Sequence, residues 1–104
     1  MKNSYDAHVK NMNNSYDVDS FNTGLESMQG TKSKFMLSGY LDNVVTSNKK
    51  NAGHIITVTY NETTTTEEDG IVKIKHSLKD DKQYEVSIGY DTNGYINKVI
   101  IKEI

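Results

Sequence analysis

The stretch Gln83 to Glu103, QYEVSIGYDTNGYINKVIIKE, carries the clearest structural signal in the chain. Tyr84, Val86, Ile88 and Tyr90 alternate with Glu85, Ser87 and Gly89, the period of two that places apolar and polar side chains on opposite faces of a strand. One face of that strand is therefore wet. Asn93-Gly94, set between two such runs, predicts a hairpin with a type I′ turn, because that turn needs positive φ at both central residues. Asp91, Asn93, Gly94 and Ile96 also match positions 3, 5, 6 and 8 of an EF-hand calcium loop. Positions 1 and 12 would then fall on Gly89 and Ile100, so both indispensable carboxylates are missing and the stretch reads as a turn, not a metal site.

Upstream, residues 71–78 (IVKIKHSL), 54–60 (HIITVTY) and 34–46 (KFMLSGYLDNVVT, with Gly39 as a bulge) read as further strands. The polar runs SNKKNAG, NETTTTEEDG and KDDK separate them as turns. In the run 71–78, Val72, Ile74, His76 and Leu78 are expected on one face. Residues 1–30 differ. Val18, Phe21, Leu25 and Met28 follow helical spacing, with Asp17 or Asp19 as N-cap and Gly30 as a stop, and predict a helix over 17–29 that Gly24 weakens. The motif NSYD occurs at Asn3 to Asp6 and again at Asn14 to Asp17. Residues 1–16 read as a frayed tail or as a short first helix carrying Tyr5, Val9 and Met12.

The expected fold class is α+β: a single domain over 1–104 in which the helix 17–29 packs on a curved antiparallel β-meander of four to five strands over 34–104. That order is similar to cystatin-like and NTF2-like folds. Closing the same strands gives the alternative, a small five-stranded barrel of OB or Sm type. Either 34–46 or 95–103, as an edge strand, offers a route to a homodimer.

Composition narrows the chemistry. There is no cysteine, which excludes disulfides, thiolate metal sites and a cysteine nucleophile. All twelve basic residues are lysines, against fourteen acids, for a net charge of −2. Without arginine the chain lacks the planar fork for bidentate recognition of phosphate or guanine, and its acids are interleaved with its lysines, so nucleic acid is not the expected partner. No apolar run approaches the roughly 18 residues of a membrane span. The opening residues lack the apolar core of a signal peptide, so a cytoplasmic location is expected if Met1 is the native start and an extracytoplasmic one if a leader was removed.

His8, His54 and His76 show no metal-ligand spacing, and neither a nucleophile motif nor a phosphate loop is present. No cofactor, metal or catalytic residue is therefore expected. Asn61-Glu62-Thr63 and Asn13-Asn14-Ser15 match the glycosylation pattern but carry no meaning without secretory context. The residues expected to meet a partner are Tyr40 and Tyr60, as rigid contact area, Glu67, Glu68 and Asp69, as the acidic tip of a projecting hairpin, and Lys73 and Lys75, on one face of a strand. The expected function is a small non-enzymatic protein-binding protein, an inhibitor or immunity-type protein of the kind carried by phages and mobile elements, which occludes a site on a larger protein. The alternative is an extracytoplasmic cystatin-like or NTF2-like accessory or scaffolding domain. A barrel that binds single-stranded nucleic acid stands third, together with a small enzyme or ligand cup, which would need an open pocket between the helix and the sheet.

Overall fold

A computed structural model of the chain describes residues 18 and 20–104. The paired NSYD copies, the tail or first helix over 1–16, His8 and Asn13-Asn14-Ser15 lie outside the described residues. In chain order the elements are β1 (Gly30–Ser33), α1 (Lys34–Lys50), β2 (Thr57–Tyr60), β3 (Thr63–Thr65), α2 (Glu68–Ser77), β4 (Gln83–Tyr90) and β5 (Ile96–Glu103). The five strands form one sheet in the order β1-β4-β5-β2-β3. β2 runs parallel to β5, and the other neighbours are antiparallel. The protein is thus α+β with a mixed, open sheet. The strands do not close into a barrel, and helices interrupt the expected meander.

Two segments read as strands are helices. In α1 the buried residues are Leu37, Tyr40, Leu41 and Val44, a stripe at spacings of three, one and three that only a helix brings to one side. The Ser33 hydroxyl caps the first turn by accepting from the Met36 amide, and Lys49 and Lys50 sit in the last turn, where positive charge suits the helix dipole. In α2 the buried residues are Ile71 and Ile74, with Leu78 buried just past its end. Helical spacing turns His76 outward, so it does not join Ile74 and Leu78 on a face. Glu68 and Asp69 in the first turn and Lys75 and His76 in the last oppose the dipole at both ends.

The N-terminal segment is helical only over part of the expected span. Residues 20–22 are helical, Gly24 takes φ +83°, and a short 3-10 turn follows at Glu26–Met28. A positive φ is readily available to glycine and ends an α-helix, so Gly24 divides what the apolar spacing alone would have joined. Leu25 and Met28 still reach the core, and Phe21 and Ile88 pack against it. The space between this segment and the sheet is filled by those side chains.

The register of β4 and β5 follows the alternation read from sequence. Tyr84 and Val86 are buried on the helix-covered face, Ile88 is half-buried, and Glu85 and Ser87 are exposed on the other. The connecting turn is not type I′. Only Gly94 has positive φ there, the Gly94 amide donates to the Asp91 carbonyl, and the Asp91 amide donates to the Tyr95 carbonyl. This is a type I turn closed by a left-handed glycine, held by the Asp91 carboxylate, which accepts from the Asn93 and Tyr95 amides. The type I′ conformation falls instead at Asn61 and Glu62, with φ of 51° and 71°, between the paired residues Tyr60 and Thr63.

The edges of the sheet are β1 and β3. Residues 34–46 belong to α1, and 95–103 contain β5, which lies between β4 and β2, so neither proposed edge is one. The helices lie antiparallel on their shared side. Asp42 pairs with Lys75 and Lys49 with Glu68, each at 2.9 Å, so seven residues forward along α1 match seven backward along α2.

Candidate functional site

Pairing registers place several elements at one end of the sheet. Ser33 lies opposite Gln83, Tyr84 opposite Glu103 and Tyr60 opposite Ile101, while the Ile104 amide donates to the Gln83 carbonyl. β5 runs past the end of β2, and the notch so formed opens into a groove of about 900 Å³ between the Asn61-Glu62 turn, α2 and the last residues of β5. Tyr60, Lys73, Ile74, Lys79, Lys102 and Glu103 line it. Lys73, Lys79 and Lys102 make no ion pair among the described residues.

Tyr60 is fixed from below. Its ring meets that of the fully buried Tyr84 edge to face, with centroids 6.1 Å apart. The Tyr84 hydroxyl accepts from the Lys79 amide at 2.7 Å, tying the loop after α2 to the sheet. Burial, then the neighbouring Tyr84 and the Glu103 carboxylate, raise the pKa of Tyr60 above the ordinary tyrosine value. Its hydroxyl is therefore neutral at physiological pH and available as donor or acceptor.

At the same end of the sheet, the first turn of α1 carries large apolar side chains in the open: Phe35 is 88% exposed and Met36 48%, and Ile104 beyond β5 is 68% exposed. Lys34 reaches Asp80 at 3.9 Å beside them. The spacing of apolar residues gave no hint of Phe35, since a strand over 34–46 would have placed it arbitrarily; only its position as residue two of a helix, away from the buried stripe, reveals it.

The residues expected at a partner surface are scattered. Tyr60 and Lys73 meet in the groove. Tyr40 is in the core, 3% exposed, and its hydroxyl is buried with no hydrogen-bond partner among the described residues. Burial, with Tyr90 as a lesser cause, raises its pKa well above the ordinary value. Glu67, Glu68 and Asp69 form the start of α2 and not a hairpin tip, since the hairpin turn lies earlier, at Asn61-Glu62. Glu68 is paired with Lys49 and Lys75 with Asp42, so Lys73 and Lys75 project in different directions from a helix and do not share a strand face. The exposed sheet face is polar: Glu85 opposes Lys102, Ser87 opposes Ile100, and the Thr59 and Thr64 hydroxyls bond at 3.1 Å.

At the other end of the sheet, Phe21, His54 and Tyr95 form an aromatic cluster. His54 and Tyr95 stack with centroids 3.9 Å apart and 15° between planes, and Phe21 meets Tyr95 edge-on at 5.3 Å. Asn22, only 3% exposed, anchors the cluster: its amide donates to the Gly94 carbonyl and its carbonyl accepts from the Ile96 amide. Among the described residues no group of His, Asp and Glu could hold a metal ion, and no helix is long and apolar enough to cross a membrane. Comparison with protein-family models, curated proteins and solved structures found no match.

Proposed function

We propose that the chain is a small non-enzymatic protein-binding protein of the inhibitor or immunity type, which covers a site on a larger protein with the end of the sheet that carries Phe35, Ile104 and the Tyr60–Lys73 groove. The observation that carries this reading is Phe35, 88% exposed, next to exposed Met36, with exposed Ile104 at the same end of the sheet. An aromatic left in water forgoes the free energy that burying its ring would release, and a partner that covers it recovers that free energy; anchors of this kind, rimmed by charge, dominate the energetics of protein interfaces. The surrounding lysines and acids supply the polar rim.

The test is recovery of a stoichiometric partner from the native host by the full chain, followed by Phe35→Ser in the same experiment. Loss of the partner, with an unchanged amide spectrum for the variant, supports the assignment. A partner retained by Phe35→Ser, or none recovered by the parent, contradicts it. Sedimentation of the chain with anionic phospholipid vesicles, lost in Phe35→Ser, would reassign the same surface to a membrane.

A further inference from the structure

The opposite end of the sheet carries a groove of about 820 Å³ of a different character. One wall is the aromatic cluster of Phe21, His54 and Tyr95; the other is the solvent side of α1, with Asn43, Ser47 and Lys50. Among the described residues no Asp or Glu lines it, and the fixed charge they bring to it is the Lys50 ammonium. Lys50 makes no ion pair among the described residues, and the Asn43 amide and the Ser47 hydroxyl likewise have no side-chain partner there. The stack itself is built, not incidental: Asn22 clamps Gly94 and Ile96, and the Asp91 carboxylate fixes the Tyr95 amide, so the ring of Tyr95 is held in place from both sides of its backbone.

From this arrangement we infer that the groove is a binding site for a small aromatic carboxylate, independent of the surface at the Phe35 end. A flat ring extends the His54–Tyr95 stack, which supplies offset or edge-on contacts and an apolar wall closed by Leu25. The carboxylate takes its charge partner from Lys50 and neutral donors from Asn43 and Ser47, and among the described residues no carboxylate competes in the lining. Charge alone would be satisfied at any free lysine on the surface. The ring alone would be satisfied at any exposed aromatic. By contrast, the groove at Tyr60 and Lys73 carries Glu62 and Glu103 in its lining, and a smaller one beside Val45 carries Glu67 and Glu68.

The experiment separates those contributions by titrating the full chain with benzoate, acetate and benzamide and following its backbone amide spectrum. Benzoate is expected to shift the amides of Asn43, Ser47, Lys50 and Tyr95 and to bind about tenfold more tightly than either acetate or benzamide. Lys50→Gln, on the exposed last turn of α1, is expected to reduce benzoate binding to the level of benzamide while leaving benzamide unchanged. Equal affinities for acetate and benzoate would show a counter-ion of Lys50 and overturn the proposal. Shifts spread over the surface lysines, none at all, or benzoate affinity unaltered by Lys50→Gln would overturn it too. Because the readout lies at the end of the sheet away from Phe35, its failure leaves the protein-binding reading standing, and the reverse holds.

Discussion

Two glycines within helices bear on stability with opposite sign. Gly39 lies in α1 with nothing within 4 Å of the position a Cβ would take, so Gly39→Ala gains helix propensity without a clash and is expected to stabilise by about 0.5–1 kcal/mol. Gly70 lies in α2, where an added Cβ would stand 2.8 Å from the Thr65 Cβ, 2.9 Å from its Cγ2 and nearer still to its Oγ1, a short branched side chain held by the bond its Oγ1 accepts from the Glu67 amide. Gly70→Ala is expected to destabilise by about 1–3 kcal/mol despite the better helix residue, as overpacking does. Urea denaturation of both variants checks the pair, and equal signs would mean that α2 does not approach β3 so closely. Tyr40 gives a pH signature. Its folded-state pKa is raised by burial, so above pH about 10 the unfolded chain releases the phenolic proton before the folded one does. The folded state then binds more protons, and stability falls as pH climbs from the unfolded tyrosine pKa through the folded one. Tyr40→Phe should flatten that loss and, by removing a hydroxyl with no partner among the described residues, hold or raise stability at neutral pH by up to about 1 kcal/mol. A loss of stability at neutral pH in denaturation of this variant would contradict the geometry.

At the scale of elements, what could be read from the sequence was what local pattern alone decides. The alternation Tyr84, Val86, Ile88 and the turn at Asp91 to Gly94 are settled within a few residues, and both are present. The stripe Leu37, Tyr40, Leu41, Val44 was equally visible, but Val, Thr, Tyr and Phe in 34–46 favour strands by propensity and Gly39 weakens a helix, and packing of the stripe against the sheet overrides both. In 71–78 the set Val72, Ile74, His76, Leu78 imitates a strand, while the set that is buried is Ile71, Ile74, Leu78; the acids before it and the basic residues at its end were the helical signal. The parallel pairing of β2 with β5 joins segments some forty residues apart, a choice made by the whole core and by no local motif. The candidate site was harder still: of the residues expected there, only Tyr60 and Lys73 meet, since a site assembled from a turn, a helix and a strand end has no spacing in sequence. The abundance of asparagine acquires a structural use that composition did not disclose. Asn48 on α1 exchanges two bonds with Ile56, donating to its carbonyl at 3.0 Å and accepting from its amide at 2.8 Å, and so pins the loop before β2 to the helix. Asn48→Ala strands both groups of a fully buried residue and is expected to lose about 1–3 kcal/mol, measured by thermal or urea unfolding. An effect below about 0.5 kcal/mol would mean that water replaces the side chain.

For the molecule as a whole, the two ends of the sheet differ in kind. One end exposes Phe35, Met36 and Ile104 and carries a groove whose lysines make no ion pair among the described residues, and the other carries an aromatic stack beside Lys50. The face between them is polar, carrying Glu85, Ser87, Lys98 and Lys102, with Ile100 as a large apolar residue in the open. If the chain works by covering a site on a larger protein, its contacts should therefore concentrate at the Phe35 end and spare the sheet face. A photo-crosslinking residue placed at Phe35, and the same residue placed at Ser87 on the exposed face, tests this directly in the native host. A covalent adduct to one protein is expected from position 35 and none from position 87. Adducts of equal yield from both positions, or from 87 alone, would contradict it.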